Sequence, residues 1–149
     1  MRTYIEKRVE KGIEVGRREV LLLARYKGPW SGFMMVSLEG WTELEARLDD
    51  RTLGMQAVRV LLAMVQAMDR ENRCRAGRKD LARMLKMSES NVSKAIQKLV
   101  ECGFVERPRL KFDPYTVSPR FAWKSSTDKL RAALKVRGML DEKGMMTAA

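Results

Sequence analysis

Residues 78–107 read RKDLARMLKMSESNVSKAIQKLVECGFVER, and the spacing of their apolar residues decides the fold. Leu81, Met84 and Leu85 lie three and four apart, on one stripe of a short helix over 78–86. Met87 and Ser88 mark a turn. Ser90, suited to an N-cap, opens a second helix that runs to Cys102. Val92, Ala95, Ile96, Leu99 and Val100 form its inner face, Gly103 stops it, and its outer face reads Asn91, Ser93, Lys94, Gln97 and Lys98. Two short helices, a tight turn and a polar outer face make a helix-turn-helix.

The next residues decide its variety. FVERP (104–108) begins a strand, LKFDPY (110–115) is a charged tip, and TVSPRFAW (116–123) returns as a second strand. A hairpin after the second helix is the wing of a winged helix, with Arg107, Arg109 and Lys111 at its tip. Upstream, LGMQAVRVLLAMVQAMD (53–69) is a helix whose apolar surface is broken by Gln56, Arg59 and Gln66 on one stripe. It is the central helix of the domain or the seam of a dimer, the former preferred. Met34, Met35, Met55 and Met64 read as core filler. WTELEARL (41–48) is a short amphipathic helix closed by Asp49 and Asp50. EVLLLARYK (19–27) and GFMMVSL (32–38), parted by GPWS, read as a β-hairpin, although the first run could continue a helix. A C-terminal helix is expected over about 127–137, capped near Ser126 or Thr127, with a frayed tail after Gly138.

The predicted fold class is therefore mostly α with small β: a winged helix-turn-helix core with an N-terminal β-hairpin/helical extension and a C-terminal helix. The predicted organisation is a basic arm over 1–18, a hairpin and short helix over 19–52, the winged core over 53–124, and the helix and tail over 125–149.

The 149 residues carry 30 Lys plus Arg against 19 Asp plus Glu, a net charge of +11, which favours a polyanionic partner. The surplus is local. Residues 70–124 hold fourteen basic and six acidic groups, whereas 39–52 hold two and five. With 45% hydrophobic residues the chain can bury a core, so it is not a basic disordered tail. It contains no histidine, which removes the Ser-His-Asp triad, the Cys-His pair and the Cys2His2 zinc site. Cys74 and Cys102 lack the spacing of a disulfide framework or metal site. No phosphate-loop or dinucleotide motif is present, and Tyr4, Tyr26 and Tyr115 lack the His pair that metal-assisted DNA nicking uses. No enzyme activity, catalytic residue, metal or cofactor is expected. The charged N-terminus does not read as a signal peptide, and no apolar run is long enough to span a membrane, so a reduced cytoplasmic location without membrane partners is expected.

The outer face of the second helix suits the major groove of double-stranded DNA. Asn91 and Gln97 can pair with adenine, Lys94 and Lys98 with guanine, and Ser93 with a base edge or phosphate. Phosphate contacts are expected from Arg78, Lys79, Ser88 and Ser90, and from Arg107, Arg109 and Lys111 on the wing. The apolar helix and the segments flanking the winged core also raise a homodimer.

This run, followed by YTVSPRFAWKS (115–125), resembles the RepL-like plasmid replication and maintenance proteins, a winged-helix family. The more specific feature is Tyr-x-Val-x-Pro-x-Phe-x-Trp-Lys from Tyr115 to Lys124. GFMMVSLEGWTELEARL and the apolar helix also look like that family's N-terminal part, so the likeness covers roughly 32–124. It implies an initiator or regulator of plasmid replication that binds an origin or its own promoter and recruits host factors, with Ser88, Ser90, Asn91, Ser93, Lys94 and Gln97 at the DNA. The chain departs from the pattern before residue 32 and after 124. The alternatives are a winged-helix transcriptional repressor, autoregulatory and bound to an inverted repeat, and an adaptor whose winged helix docks a protein.

Overall fold

The computed structural model describes residues 3–10, 13–21 and 34–147 of the chain. Contacts divide it into two units, 1–33 and 34–149. In the first, β1 (Thr3–Glu10) pairs antiparallel with β2 (Ile13–Leu21), Thr3 facing Leu21 and Glu6 facing Arg18, with a register shift between Arg8 and Val9. This hairpin replaces the basic arm expected over 1–18. Ile5, Val9, Ile13 and Val15 fall at odd positions, a two-residue period obscured by the intervening charges. Most of the hairpin expected from 19–27 and 32–38 lies outside the described residues. Its ends pair elsewhere: Glu19–Leu21 belongs to β2, and Met35–Val36 pairs in the second unit.

The second unit runs β3 (Met35–Val36), α1 (Leu38–Asp49), α2 (Met55–Ala67), β4 (Arg73–Cys74), α3 (Arg78–Leu85), α4 (Glu89–Glu101), β5 (Val105–Glu106), β6 (Tyr115–Val117), β7 (Ala122–Trp123) and α5 (Thr127–Val136). Helix α2 is the central element. Val60, Leu61, Met64 and Val65 are buried against α3 and α4, while Gln56, Arg59 and Gln66 stay exposed, with Met55 and Leu62 beside them. Such burial removes most of the helix surface from water, and each large side chain contributes roughly 1.5–3 kcal/mol. Arg59 ties α2 to the end of α3 by donating to the Leu85 carbonyl at 3.1 Å.

Helix α1 starts earlier than its tryptophan suggested because Ser37 is the N-cap, its hydroxyl accepting from the Gly40 amide at 2.8 Å. Gly40 is required there. A Cβ would lie 3.0 Å from the Phe121 backbone and 2.6 Å from Ser37 Oγ. At the other end, Asp50 accepts from the Thr52 amide and hydroxyl, so the Asp49–Asp50 pair closes the helix as expected.

The expected second wing strand, 116–123, is two strands. Beyond Val117 the chain turns through Ser118–Phe121, with Phe121 N donating to Ser118 O at 3.0 Å, and Pro119 lies inside the turn. Strand β6 pairs on one side with β5 and on the other with β4, giving the order β4-β6-β5, whereas β7 crosses to β3. Proline has no amide to give a ladder, so the strand must break there.

Asn72 holds this crossover. It is fully buried in the left-handed region (φ 61°), which asparagine tolerates better than most residues. Its Nδ2 donates to Val117 O at 3.1 Å and Ala122 O at 2.6 Å, and its carbonyl accepts from Val117 N at 2.8 Å. Just before it, the Asp69 carboxylate accepts from the Glu71 and Arg73 amides, each at 2.9 Å, and from Arg73 Nε at 3.1 Å. Partial burial alone would raise its pKa, but these donors together hold it below the ordinary 3.8.

Where a frayed end was expected after Gly138, the chain folds back so that Thr147 N donates to Met139 O at 3.0 Å. Asp141 Oδ1 accepts from the Lys143 and Met145 amides, and Leu140 bridges Met146 around Gly144 (φ 76°). Arg137, at the end of α5, grips Glu106 with two bonds of 2.6 and 3.1 Å, pinning the helix to the wing strand.

Asn72→Ala is expected to lower stability by about 2–4 kcal/mol in urea melts, from lost buried hydrogen bonds and left-handed strain. Asn72→Gly, free of that strain, should recover about 1 kcal/mol of it. Because the folded pKa of Asp69 lies below its unfolded value, its contribution is present above pH 3.8 and lost as pH falls through the lower folded value. Asp69→Asn should therefore flatten the acid limb of the stability profile.

Candidate nucleic-acid interface

The turn between α3 and α4 is built from Lys86 to Ser88. Lys86 takes the left-handed conformation (φ 52°, ψ 46°) that ends α3, and Met87 N donates to Ala82 O at 3.0 Å. Ser88, not Ser90, is the N-cap of α4: its hydroxyl accepts from the Asn91 amide at 3.1 Å, with Glu89 in the first turn. The helix therefore begins two residues earlier than expected, leaving Ser90 inside its first turn. Leu81 and Ala82 face the core from α3. Met84 is exposed instead of completing the expected apolar stripe with Leu81 and Leu85, because the buried arc runs from Leu81 through Leu85 to Ala82 and Met84 falls just outside its edge.

Helix α4 divides as its sequence suggested. Val92, Ala95, Ile96 and Leu99 are buried, and Ser90, Asn91, Lys94, Gln97 and Lys98 are exposed, with Ser93 half-buried at the margin. Glu101 lies on the same outer face and accepts from Gln97 Nε2 at 3.2 Å. That contact occupies one of the two amide protons of Gln97, leaving the other and the carbonyl to present as a donor and acceptor pair. The acid also makes the C-terminal end of α4 less hospitable to phosphate than its N-terminal end.

Arg78 and Lys79 are exposed at the start of α3, where the Asp80 carboxylate accepts from the Gly77 amide at 3.0 Å. Arg78 Nη2 donates to the Tyr115 hydroxyl at 3.2 Å, joining the helix-turn-helix to the base of the wing. Arg107, Arg109 and Lys111 are exposed along the connection from β5 to β6. The wing also carries two residues that a count of charges passed over. Leu110 is 69% exposed and Phe112 92% exposed. Their signal in the sequence was an aromatic residue in a tip otherwise composed for water.

The cysteines are not poised for chemistry. Burial pushes the thiols of Cys74 and Cys102 up from their ordinary values, so both stay protonated at neutral pH. Among the described residues no group of three or more His, Cys, Asp or Glu could hold a metal ion, and no helix is long and apolar enough to cross a membrane.

The family described as winged helix-turn-helix DNA-binding matches residues 71–106, from the turn before β4 through β5. No curated protein and no solved structure was found to match the chain. The matched stretch contains α3, the turn and α4, and the three-stranded sheet beside them completes a winged helix-turn-helix fold.

Two substitutions test the outer face of α4. Lys94→Ala should weaken DNA binding and relax the preference for guanine at one position, costing about 1–3 kcal/mol there. Gln97→Ala should relax base preference at one position, costing about 1–3 kcal/mol there, as read by fluorescence anisotropy on matched and mismatched duplexes.

Proposed function

We propose that this winged helix-turn-helix DNA-binding protein lays α4 in the major groove of double-stranded DNA at a plasmid or mobile-element origin, and there starts or controls replication. The observation that carries the DNA-reading part is the outer face of α4: Asn91, Lys94, Gln97 and Lys98 are presented together, with Ser90 in the first turn, on a helix whose other side is locked in the core. Asn91 and Gln97 have the donor and acceptor pair that adenine offers in return, and Lys94 and Lys98 suit guanine. Ser88, Ser90, Arg78, Lys79, Arg107, Arg109 and Lys111 are assigned to phosphates, and Ser93 to a marginal contact. If about six phosphates are neutralised, log K should fall against log salt with a slope near −5.

The replication role is supported by the likeness of Tyr115–Lys124 to RepL-like proteins. In this chain four residues of that motif make specific contacts: Tyr115 meets Arg78, Phe121 packs edge-on against Phe104 at 5.4 Å, and the Trp123 indole donates to Ser126 O at 3.0 Å. Lys124 Nζ caps the end of α2 through the Gln66 and Met68 carbonyls. A homodimer is proposed, supported by exposed Met55 and Leu62 on the outer stripe of α2. The protein is taken to act in the cytoplasm without a catalytic step of its own, recruiting host replication or transcription proteins.

Selection from a random duplex pool at near-physiological salt tests the whole reading. Directly repeated sites beside an AT-rich stretch are expected for an initiator. A single inverted pair over a promoter would instead make the protein a repressor, and no enrichment would remove sequence-specific binding. Sedimentation at micromolar concentration that shows only a 17 kDa species would remove the dimer.

A further inference from the structure

The wing tip reads RPRLKF over 107–112, a strict alternation of cation and apolar residue. Asp113 N donates to Leu110 O at 3.0 Å, which closes a four-residue turn with Lys111 and Phe112 at its centre. Phe112 therefore sits at the apex, almost wholly in water, with the Lys111 ammonium 5.8 Å from its ring centroid. Pro108 and Pro114 flank the turn, and each fixes one backbone dihedral, so the apex is presented on a stiffened loop. Below it, β6 is paired on both sides and Tyr115 is bonded to Arg78 at the start of α3.

Apart from the neighbouring Lys111 ammonium, the ring is left to water, an arrangement that suits contact with something outside the chain. Arg107, Arg109 and Lys111 surround it with positive charge, against the single acid Asp113, and charge of that sign draws the apex toward phosphate. We propose that the wing tip is a wedge for the DNA minor groove: the three cations hold the phosphates on either side, and Phe112, with Leu110 behind it, enters between two base pairs and bends the duplex. The minor groove is narrow enough to be filled by one hairpin tip, and apolar wedges between base steps are a known means of kinking DNA by roughly 20–90°. Pyrimidine–purine steps unstack most easily, so the wedge would favour a TA or CA step at a fixed distance from the bases read by α4. This rests on the DNA-binding reading above.

The test uses the full chain and duplexes carrying the selected site, with 2-aminopurine placed at successive flanking steps. The wild-type protein should bend the duplex in a circular-permutation assay and raise 2-aminopurine fluorescence at one step. Phe112→Ala touches no buried residue. It should keep the circular dichroism spectrum and the preference for the bases read by α4, lose the preference for the flanking TA or CA step, bind about tenfold more weakly, and lose both the bend and the fluorescence rise. Phe112→Leu should restore part of each. A Phe112→Ala protein that bends and unstacks DNA like the wild type overturns the wedge while leaving the DNA reading intact. Absence of wild-type binding to any duplex overturns the DNA reading itself. Loss of binding to phosphatidylglycerol vesicles in Phe112→Ala, with DNA bending unchanged, would reassign the tip to a membrane surface and likewise overturn the wedge.

Discussion

The Asn72 side chain joins Val117 and Ala122 across the turn where the chain leaves one small sheet for another. Every strand near the helix-turn-helix depends on that turn. Strand β6 is bonded to β4 and β5 on one side of it, and β7 is bonded to β3, which leads into α1, on the other. Since buried carbonyls without partners are costly, a side chain that satisfies two of them at once makes the crossover a single defined geometry. The left-handed backbone of Asn72 links two segments: its amide donates to Asp69 O at 3.1 Å, closing the turn before β4, while its backbone carbonyl accepts from Val117 N at 2.8 Å.

That node fixes where the charge is displayed. Its neighbours Asp69 and Arg73 stiffen the entry to β4, and the pairing of β4 with β6 positions Tyr115, to which Arg78 is bonded. The wing is held a second time by the fork between Arg137 and Glu106, which joins α5 to β5. Both partners are partly exposed, so that pair contributes modestly to stability, on the order of 1 kcal/mol or less. Its consequence is positional: a two-residue strand would otherwise be a weak foundation for the wing hairpin. The helix-turn-helix and the wing thus share supports instead of being separate modules, which suits two elements meant to meet one duplex.

Much of this was legible in the residues. The helices α2, α3, α4 and α5 repeat apolar positions at helical spacing, and each is where that spacing placed it to within a few residues. The wing was legible because Gly103 stops α4 and an apolar pair, Phe104 and Val105, follows immediately. The misses have local causes. Two candidate serines, Ser88 and Ser90, offer the same capping chemistry, and only the left-handed Lys86 selects between them. The period-two pattern of β1 and β2 was diluted by charge, while Met35 and Val36 found their partners nearly ninety residues away, beyond the reach of a local pattern. Asn72 carried no periodic signal, and the alternation that ends in Phe112 did not say which residue would stand at the apex.

The sequence by itself determined which faces are apolar, where the positive charge accumulates and which side chains could speak to bases, because periodicity and residue chemistry are local properties. Only the tertiary structure decided that 115–123 would serve two sheets, that the tail would fold back on Asp141, and that Phe112 would stand at the apex of the wing. The first depends on pairings between residues distant in the chain, chosen by the packing of the whole domain; the other two are closed by short-range bonds, from Lys143 and Met145 to Asp141 and from Asp113 to Leu110, that only the folded backbone reveals.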